Sequence, residues 1–307
     1  MKRVVTAIVL IPVVLLLALR SPVYVLAPFV GLAALLCIRE FLELARHYGI
    51  EPSPLPVYGF TILLFLGLTL QPFVIAPFNI PLTLLSVPLT FGAIAIAAVL
   101  APFVFLAIAM ARSNLQSAFP AAASGMFAIA YIALPLALVV QLRLMWAGAF
   151  LILYLLLLVW TGDTAAYYAG RLLGRHKLAP RISPGKTWEG TAASFLASVA
   201  VGVWIFSNAP QISQTLWNVG LIERGQGYFA LEGPSILSIA VLSGMVNIAA
   251  QLGDLVESLL KRGAGVKDSG SLLPGHGGML DRLDALLFAA PILWYYAALQ
   301  VIAQGHL

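Results

Sequence analysis

Runs of about twenty apolar residues recur along the whole chain, and that is the length a helix needs to cross a bilayer. Nine such candidate spans can be read, at 4–19, 22–37, 58–77, 88–111, 121–141, 146–162, 190–206, 234–252 and 285–303. Composition agrees. Of 307 residues 61% are hydrophobic and only 9% charged, and mean hydropathy is +0.99. An average soluble domain carries about 25% charged residues. The 17 Lys and Arg with 12 Asp and Glu are too few to coat a soluble body of this size. A soluble globular enzyme, a disordered chain and a disulfide-stapled secreted domain are thereby excluded. The expectation is an all-α, polytopic integral membrane protein with about nine transmembrane helices. Pro81, Pro88 and Pro102 leave room for an extra short or re-entrant element in 78–111.

The basic residues choose an orientation. With the N-terminus in the cytoplasm and each span crossing once, Lys2, Arg3, Arg39, Arg46, Arg112, Arg171, Arg175, Lys177, Arg181, Lys186, Lys261, Arg262, Lys267 and Arg282 lie inside. Arg20, Arg143 and Arg224 lie outside. This positive-inside bias predicts a multi-pass protein of the cytoplasmic (inner) membrane. The net charge of +5 therefore reflects topology. No basic stripe interleaved with aromatics is present, so nucleic acid is not an expected partner. Lys2-Arg3, an apolar run and Val25-Leu26-Ala27 imitate a secretory signal, but the second apolar run starts almost at once. An uncleaved helical hairpin is the expectation. The single cysteine, Cys37, lies in an apolar run and has no partner for a disulfide. Arg39, Glu40, Glu43 and Arg46, set among Ile38, Phe41, Leu42 and Leu44, read as an ordinary helix end or short interfacial helix.

Polar residues gather in two segments expected on the cytoplasmic face, 161–190 and 252–284, which hold seven of the twelve acids and nine of the seventeen basic residues. Ionisable residues at the ends of membrane spans point to function. Asp254, Glu257, Ser258 and Lys261 follow i, i+3, i+4, i+7 spacing and share one helix face. Asp281 and Asp284, at i and i+3, point together at the start of the last span. Carboxylates crowded near a low-dielectric boundary repel one another. A divalent cation relieves this, and hard oxygen ligands favour Mg²⁺. Structural ion pairs with Lys261, Arg262 and Arg282 are the alternative. Between these helices, Gly263 to Gly278 contains six glycines in sixteen residues. Such a loop exposes N–H groups to phosphate oxygens, and Lys267 and His276 add donors.

The first segment contributes Thr161-Gly162-Asp163-Thr164, a basic run from Arg171 to Arg181, and Ser183-Pro184-Gly185-Lys186-Thr187-Trp188-Glu189-Gly190. Gly185-Lys186-Thr187 imitates the end of a P-loop. Pro180 stands where its first glycine is required, and no strand is expected before it, so the P-loop is rejected. A lysine and hydroxyls beside a helix start still suit an anion, with a solvated basic loop as the alternative. No H-E-x-x-H or G-x-S-x-G motif occurs, and His47, His176, His276 and His306 lack ligand spacing. Ser243 beside Gly244 reads as small-residue helix packing.

Residues 258–284 run S-x-x-K-R-x-x-x-x-K-D-x-G-x-x-L-P-x-H-G-G-x-x-D-R-x-D. At every fixed position this resembles the pattern of the phosphatidate cytidylyltransferases (CDP-diacylglycerol synthases). Asp163-Thr164 and Ser183 to Gly190 resemble that family as well, with Ala165 where it often has Gly. The resemblance is specific in the C-terminal half, whereas the N-terminal half is similar only in being several apolar helices. It implies transfer of CMP from CTP to phosphatidic acid, giving CDP-diacylglycerol and pyrophosphate at the cytoplasmic face. The catalytic set it implies is Asp254, Lys261, Asp281 and Asp284, with Asp254, Asp281 and Asp284 holding Mg²⁺ and room for a second, monovalent cation. Substrate-binding positions are Asp163, Ser183, Lys186, Ser258, Arg262, Lys267, Asp268, His276, Gly277, Gly278 and Arg282. His276 fits a hydrogen-bond donor or loop organiser better than a base, because the attacking phosphate is already anionic.

One integral domain over 1–307 is expected, with 1–145 a helical scaffold or homodimer interface and 146–307 the catalytic helices and loops. CTP, phosphatidic acid and membrane lipids are the expected partners. The lipid would enter sideways through a groove among the last four spans. Two rivals remain at this stage. A CTP-dependent polyprenol or other lipid kinase would release CDP in place of pyrophosphate. A transporter would carry its charges near mid-membrane in repeated halves, and here they lie at one face with no repeat.

Overall fold

Inside hydrocarbon every backbone N–H and C=O must find its partner within the segment, and the apolar runs accordingly become helices. The computed structural model describes residues 2–75, 92, 99–112, 114–230, 233–272 and 277–303. In chain order the helices are α1 (Lys2–Arg20), α2 (Val23–His47), α3 (Pro54–Ile75), α4 (Val99–Ala109), α5 (Leu115–Leu144), α6 (Gly148–Leu172), α7 (Trp188–Ser207), α8 (Ala209–Asn218), α9 (Ile236–Gly263) and α10 (Leu280–Ala303). Among the described residues seven are long and apolar enough to cross a membrane: α2, α3, α5, α6, α7, α9 and α10. This establishes an all-α, multi-pass membrane protein, with seven of the expected nine spans present among the described residues. Ile11–Arg20 and Val99–Ala109 are apolar yet shorter, at the places of the expected spans 4–19 and 88–111. Most of 78–98, with its extra-element expectation, lies outside the described residues.

A two-stranded antiparallel hairpin also forms where only a loop was expected: β1 (Lys177–Ala179) pairs with β2 (Ser183–Thr187). Alternation was too short to announce it. Its second strand ends on Thr187, whose hydroxyl accepts the Gly190 amide at 3.1 Å and so caps α7. The Gly185-Lys186-Thr187 triplet is thus a strand end and a helix cap.

Two apolar clusters organise the bundle. One gathers Phe150, Tyr154, Leu158, Ile205, Val246, Leu293 and Trp294 from α6, α7, α9 and α10. The other gathers Ile38, Val57, Ile132, Leu136, Val140, Leu280 and Leu287 from α2, α3, α5 and α10. Helix α10 belongs to both, so it joins the N-terminal helices to the C-terminal ones. Helix α5 carries a π-helical turn at Ile129–Ala133. Pro135 lies two residues beyond it and has no N–H to return to the preceding turn. Gly202 packs on Ser243, and a Cβ on Gly244 would meet Phe195 at 2.9 Å, which bears out the small-residue packing read from this stretch.

Basic residues segregate between the two ends. At one end the Tyr48 hydroxyl reaches the Leu260 carbonyl, and Arg262 reaches the Ile182 carbonyl of the hairpin. At the other, Arg20 bonds the Gly220 carbonyl and Arg143 the Leu19 carbonyl. Helix α9 has 28 residues, about 42 Å at 1.5 Å per residue. It outruns a hydrocarbon layer of about 30 Å, and its surplus last turns carry Asp254 to Lys261.

Candidate active site

Four chain segments meet at that end: the last turns of α6 and α9, the first turns of α10, and strand β2. Asp163 stands on α6, exposed. Asp254 stands on α9 and Asp284, buried, on α10. Asp284 lies within electrostatic reach of both Asp254 and Asp163. Helices α9 and α10 touch here because Gly253 has no side chain, and a Cβ on it would collide with the Asp284 carbonyl. A Cβ on Gly162, beside Asp163, would meet Asn247 Nδ2 at 2.6 Å. Small residues thus set how closely the acid-bearing helices approach.

The cations enter as partners of these acids. Lys186 Nζ, at the end of β2, lies 2.7 Å from Asp254 Oδ2. Lys261 Nζ is bound by Glu257, one turn back on α9, and by Asp281 Oδ1 at 2.5 Å. Asp281 Oδ2 accepts three further bonds: from the Ser269 amide and hydroxyl, each at 3.0 Å, and from the Gly278 amide at 2.7 Å. Lys261, two backbone amides and a Ser269 hydroxyl shared with Glu40 fold the glycine-rich loop back onto the start of α10. Gly277 adopts φ +76, and a Cβ there would also press on Asp281 at 2.5 Å, so two separate constraints favour glycine. Ser258 Oγ lies 3.4 Å from Asp254 Oδ1.

Most of the expected site residues therefore come together: Asp163, Lys186, Asp254, Ser258, Lys261, Asp281 and Asp284, with Gly277 and Gly278 against Asp281 and Asp268 beside Gly277. Arg282 is exposed, and Asp163 feels its charge. Ser183 opens β2, half-buried. Arg262 bonds the carbonyls of Ile182 and Val266, fastening hairpin to loop, and Lys267 is exposed on the loop. His276 lies outside the described residues.

Two acids were undervalued by the sequence reading. Glu257 has a fully buried side chain, and its Oε1 has no hydrogen-bond partner among the described residues. Glu40 of α2, read above as part of an ordinary helix end, is buried against the loop. It accepts the Ser269 hydroxyl at 2.8 Å and the amides of Met279 and Leu280 at 2.9 Å each. A signal for it existed: Cys37, Glu40 and Leu44 fall on the face that is buried, whereas Arg39, Glu43 and Arg46 fall on the exposed one.

Hard-cation chemistry fits this donor set. Asp163, Asp254, Glu257, Asp281 and Asp284 face Lys186, Lys261 and Arg282, so carboxyl groups outnumber cations five to three. Among the described residues no three acids converge into a closed metal cage. Mg²⁺ does not require one, since it keeps waters and substrate oxygens in its shell and uses one or two carboxylates.

Comparison with known proteins reaches the same region. A phosphatidate cytidylyltransferase of Haemophilus influenzae is 42% identical over 151 residues, 48% of this chain and 46% of that protein. One of Brucella suis is 41% identical over 148 residues, 48% of this chain and 47% of that protein. One of Staphylococcus saprophyticus is 36% identical over 191 residues, 62% of this chain and 64% of that protein. The chain thus spans about half the length of the first curated relatives it matches. The profile of the cytidylyltransferase family extends further, over residues 1–300, and takes in the N-terminal helices whose likeness could not be read from motifs. By that match the chain belongs to the cytidylyltransferase family.

Proposed function

We propose that this protein transfers the cytidylyl group of CTP to phosphatidic acid, releasing pyrophosphate and leaving CDP-diacylglycerol in the membrane. The observation that carries the reading is the mixed-sign cluster at the ends of α6, α9 and α10. Carboxylates able to hold a divalent ion stand beside lysines able to hold phosphates, at one face of a membrane-spanning bundle. A lipid phosphate can reach this face while its acyl chains stay in the bilayer. The names and identities of the relatives support the same chemistry.

A phosphate oxygen of phosphatidic acid forms a bond to the α-phosphorus of CTP, and the bond from that phosphorus to the bridging oxygen breaks, expelling pyrophosphate. The nucleophile is an anion, so no strong base is needed. Positioning and charge neutralisation carry the rate. Asp254 and Asp284 would hold Mg²⁺, with Asp163 adding charge, while Asp281 stays on Lys261, Ser269 and Gly278 and keeps the loop in place. The ion, when bound, neutralises nucleotide phosphates and the leaving group. Lys186, Arg262, Lys267 and Arg282 would meet the triphosphate and the lipid headgroup, and Ser183, Ser258 and the Gly277 amide would orient phosphate oxygens. The segregation of basic residues supports placing this end at the cytoplasmic side of the inner membrane.

Pyrophosphate release by purified protein in detergent tests the reading. Release is expected only with CTP, phosphatidic acid and Mg²⁺ together, and is abolished by EDTA and reduced at least a hundredfold in Asp254→Asn. Folded protein that releases no pyrophosphate, or forms CDP with a lipid alcohol, would overturn it.

A further inference from the structure

We infer that α2 is a positioning element for the site. It fastens both ends of the loop between α9 and α10, and Glu40 is its principal contact.

At the incoming end the Tyr48 hydroxyl, immediately after α2, donates to the Leu260 carbonyl at 2.8 Å in the last turn of α9. Gly263 lies so close beneath the tyrosine that a Cβ on it would overlap the hydroxyl. At the outgoing end Glu40 takes the amides of Met279 and Leu280 and the hydroxyl of Ser269. An acid on the first amides of a helix is favoured by the unpaired donors there and by the helix dipole. Here the acid comes from about 240 residues upstream. Gly270 and Gly278 flank the carboxylate, and a Cβ on Gly270 would stand 2.7 Å from Glu40 Oε1. Two of the loop glycines are therefore explained by the approach of this side chain.

The contact leads into the site. The Ser269 hydroxyl has one proton and two carboxylate neighbours, Glu40 Oε2 at 2.8 Å and Asp281 Oδ2 at 3.0 Å. Asp281 holds Lys261, and Lys261 holds Glu257. From Glu40 to Glu257 the bonded groups form an unbroken chain. Removing its first member releases the loop against which Asp281 and Lys261 are set. Glu40 touches no reacting atom in this arrangement.

The inference rests on the proposed cytidylyl transfer for its activity readout, so a second readout is needed that does not. Glu40→Gln keeps the shape but leaves one acceptor oxygen for three donors and turns an NH₂ toward them. Hydrogen exchange of peptides covering 264–285 is expected to quicken at least tenfold, with exchange elsewhere in the bundle unchanged. A misplacement of about 1 Å can cost about a hundredfold in rate. The kcat per folded molecule should accordingly fall about ten- to a hundredfold, with KM for CTP moving less than about threefold. Tyr48→Phe should speed exchange only near the end of α9. Unchanged exchange at 264–285 in Glu40→Gln, or lost activity fully matched by lost folded protein, overturns the inference. If the wild-type protein makes no pyrophosphate, the functional proposal falls, and the exchange comparison still decides the role of α2.

Discussion

Lys261 offers the sharpest quantitative test of how the site is held. Its side chain is 11% exposed and lies between the carboxylates of Glu257, at 0%, and Asp281, at 6%. Replacing it by Met preserves most of the apolar stem and removes the cation that both acids contact. Breaking a buried pair in this way costs about 3–5 kcal/mol, because the remaining charge is stranded out of water. Glu257 can take up a proton once the ammonium is gone, so Asp281 is the one stranded charge and the lower part of that range is expected. Glu257→Gln removes one of the two claims on Lys261 and leaves the Asp281 pair intact, costing about 1–2 kcal/mol. The double variant differs in kind. Asp281 keeps the donors from Ser269 and Gly278, and no uncompensated charge remains at position 257. Its cost should fall short of the sum of the singles by about 1–3 kcal/mol. Reversible unfolding in mixed micelles, titrated with SDS and followed by tryptophan fluorescence, measures all three. Additivity within about 0.5 kcal/mol, or a Lys261→Met cost below about 1 kcal/mol as for a solvated surface pair, would refute the buried bridge.

Two further outcomes follow from the packing. Gly253→Ala places a methyl group on the Asp284 carbonyl, so α9 and α10 must part, at about 1–3 kcal/mol in the same titration, with activity lost as Asp254 and Asp284 separate. Asn247 donates to Ser194 and Ser198 at 2.9 Å each and accepts from Gln251 at 2.6 Å. Asn247→Ala should cost about 0.6–1.7 kcal/mol, the range of interhelical polar contacts in membranes, while changing activity per folded molecule less than about twofold.

Span positions were legible in the sequence because the solvent imposes them: apolar runs of bilayer length have one common outcome. The motif residues of α9 and α10 were legible for a related reason, since Asp254, Ser258 and Lys261 share a face by spacing alone and Asp281 and Asp284 do likewise. Contacts between segments distant in sequence were not. Nothing in Lys186 names Asp254 as its partner, and nothing in Ser269 names Glu40. The hairpin escaped because a three-residue and a five-residue strand present too little alternation to outweigh their prolines and glycines. Glu40 escaped for a different reason. Its burial was readable from the face it shares with Cys37 and Leu44, but the arginines and second glutamate around it suggested a solvated helix end.

The ion pairs found at the site say how it can exist without its ligands and still receive them. Bare carboxylates this close would repel, and bare lysines would hold any phosphate. Pairing Lys186 with Asp254 and Lys261 with Asp281 avoids both penalties. Under the cytidylyl-transfer reading, a nucleotide with its divalent ion presents the same two signs side by side. Lys186 can pass from carboxylate to phosphate while Asp254 passes from ammonium to metal, and neither is left buried alone. The two pairs are not equivalent in this exchange. Lys186 and Asp254 are 23% and 40% exposed, whereas Lys261 and Asp281 are 11% and 6% exposed. Asp281 is also tied to Ser269 and Gly278. Separating the outer pair costs little because water and ligand can reach both partners. Separating the inner pair would release the loop. The outer pair is therefore the one suited to open for substrate, while the inner pair keeps the loop in place through the exchange.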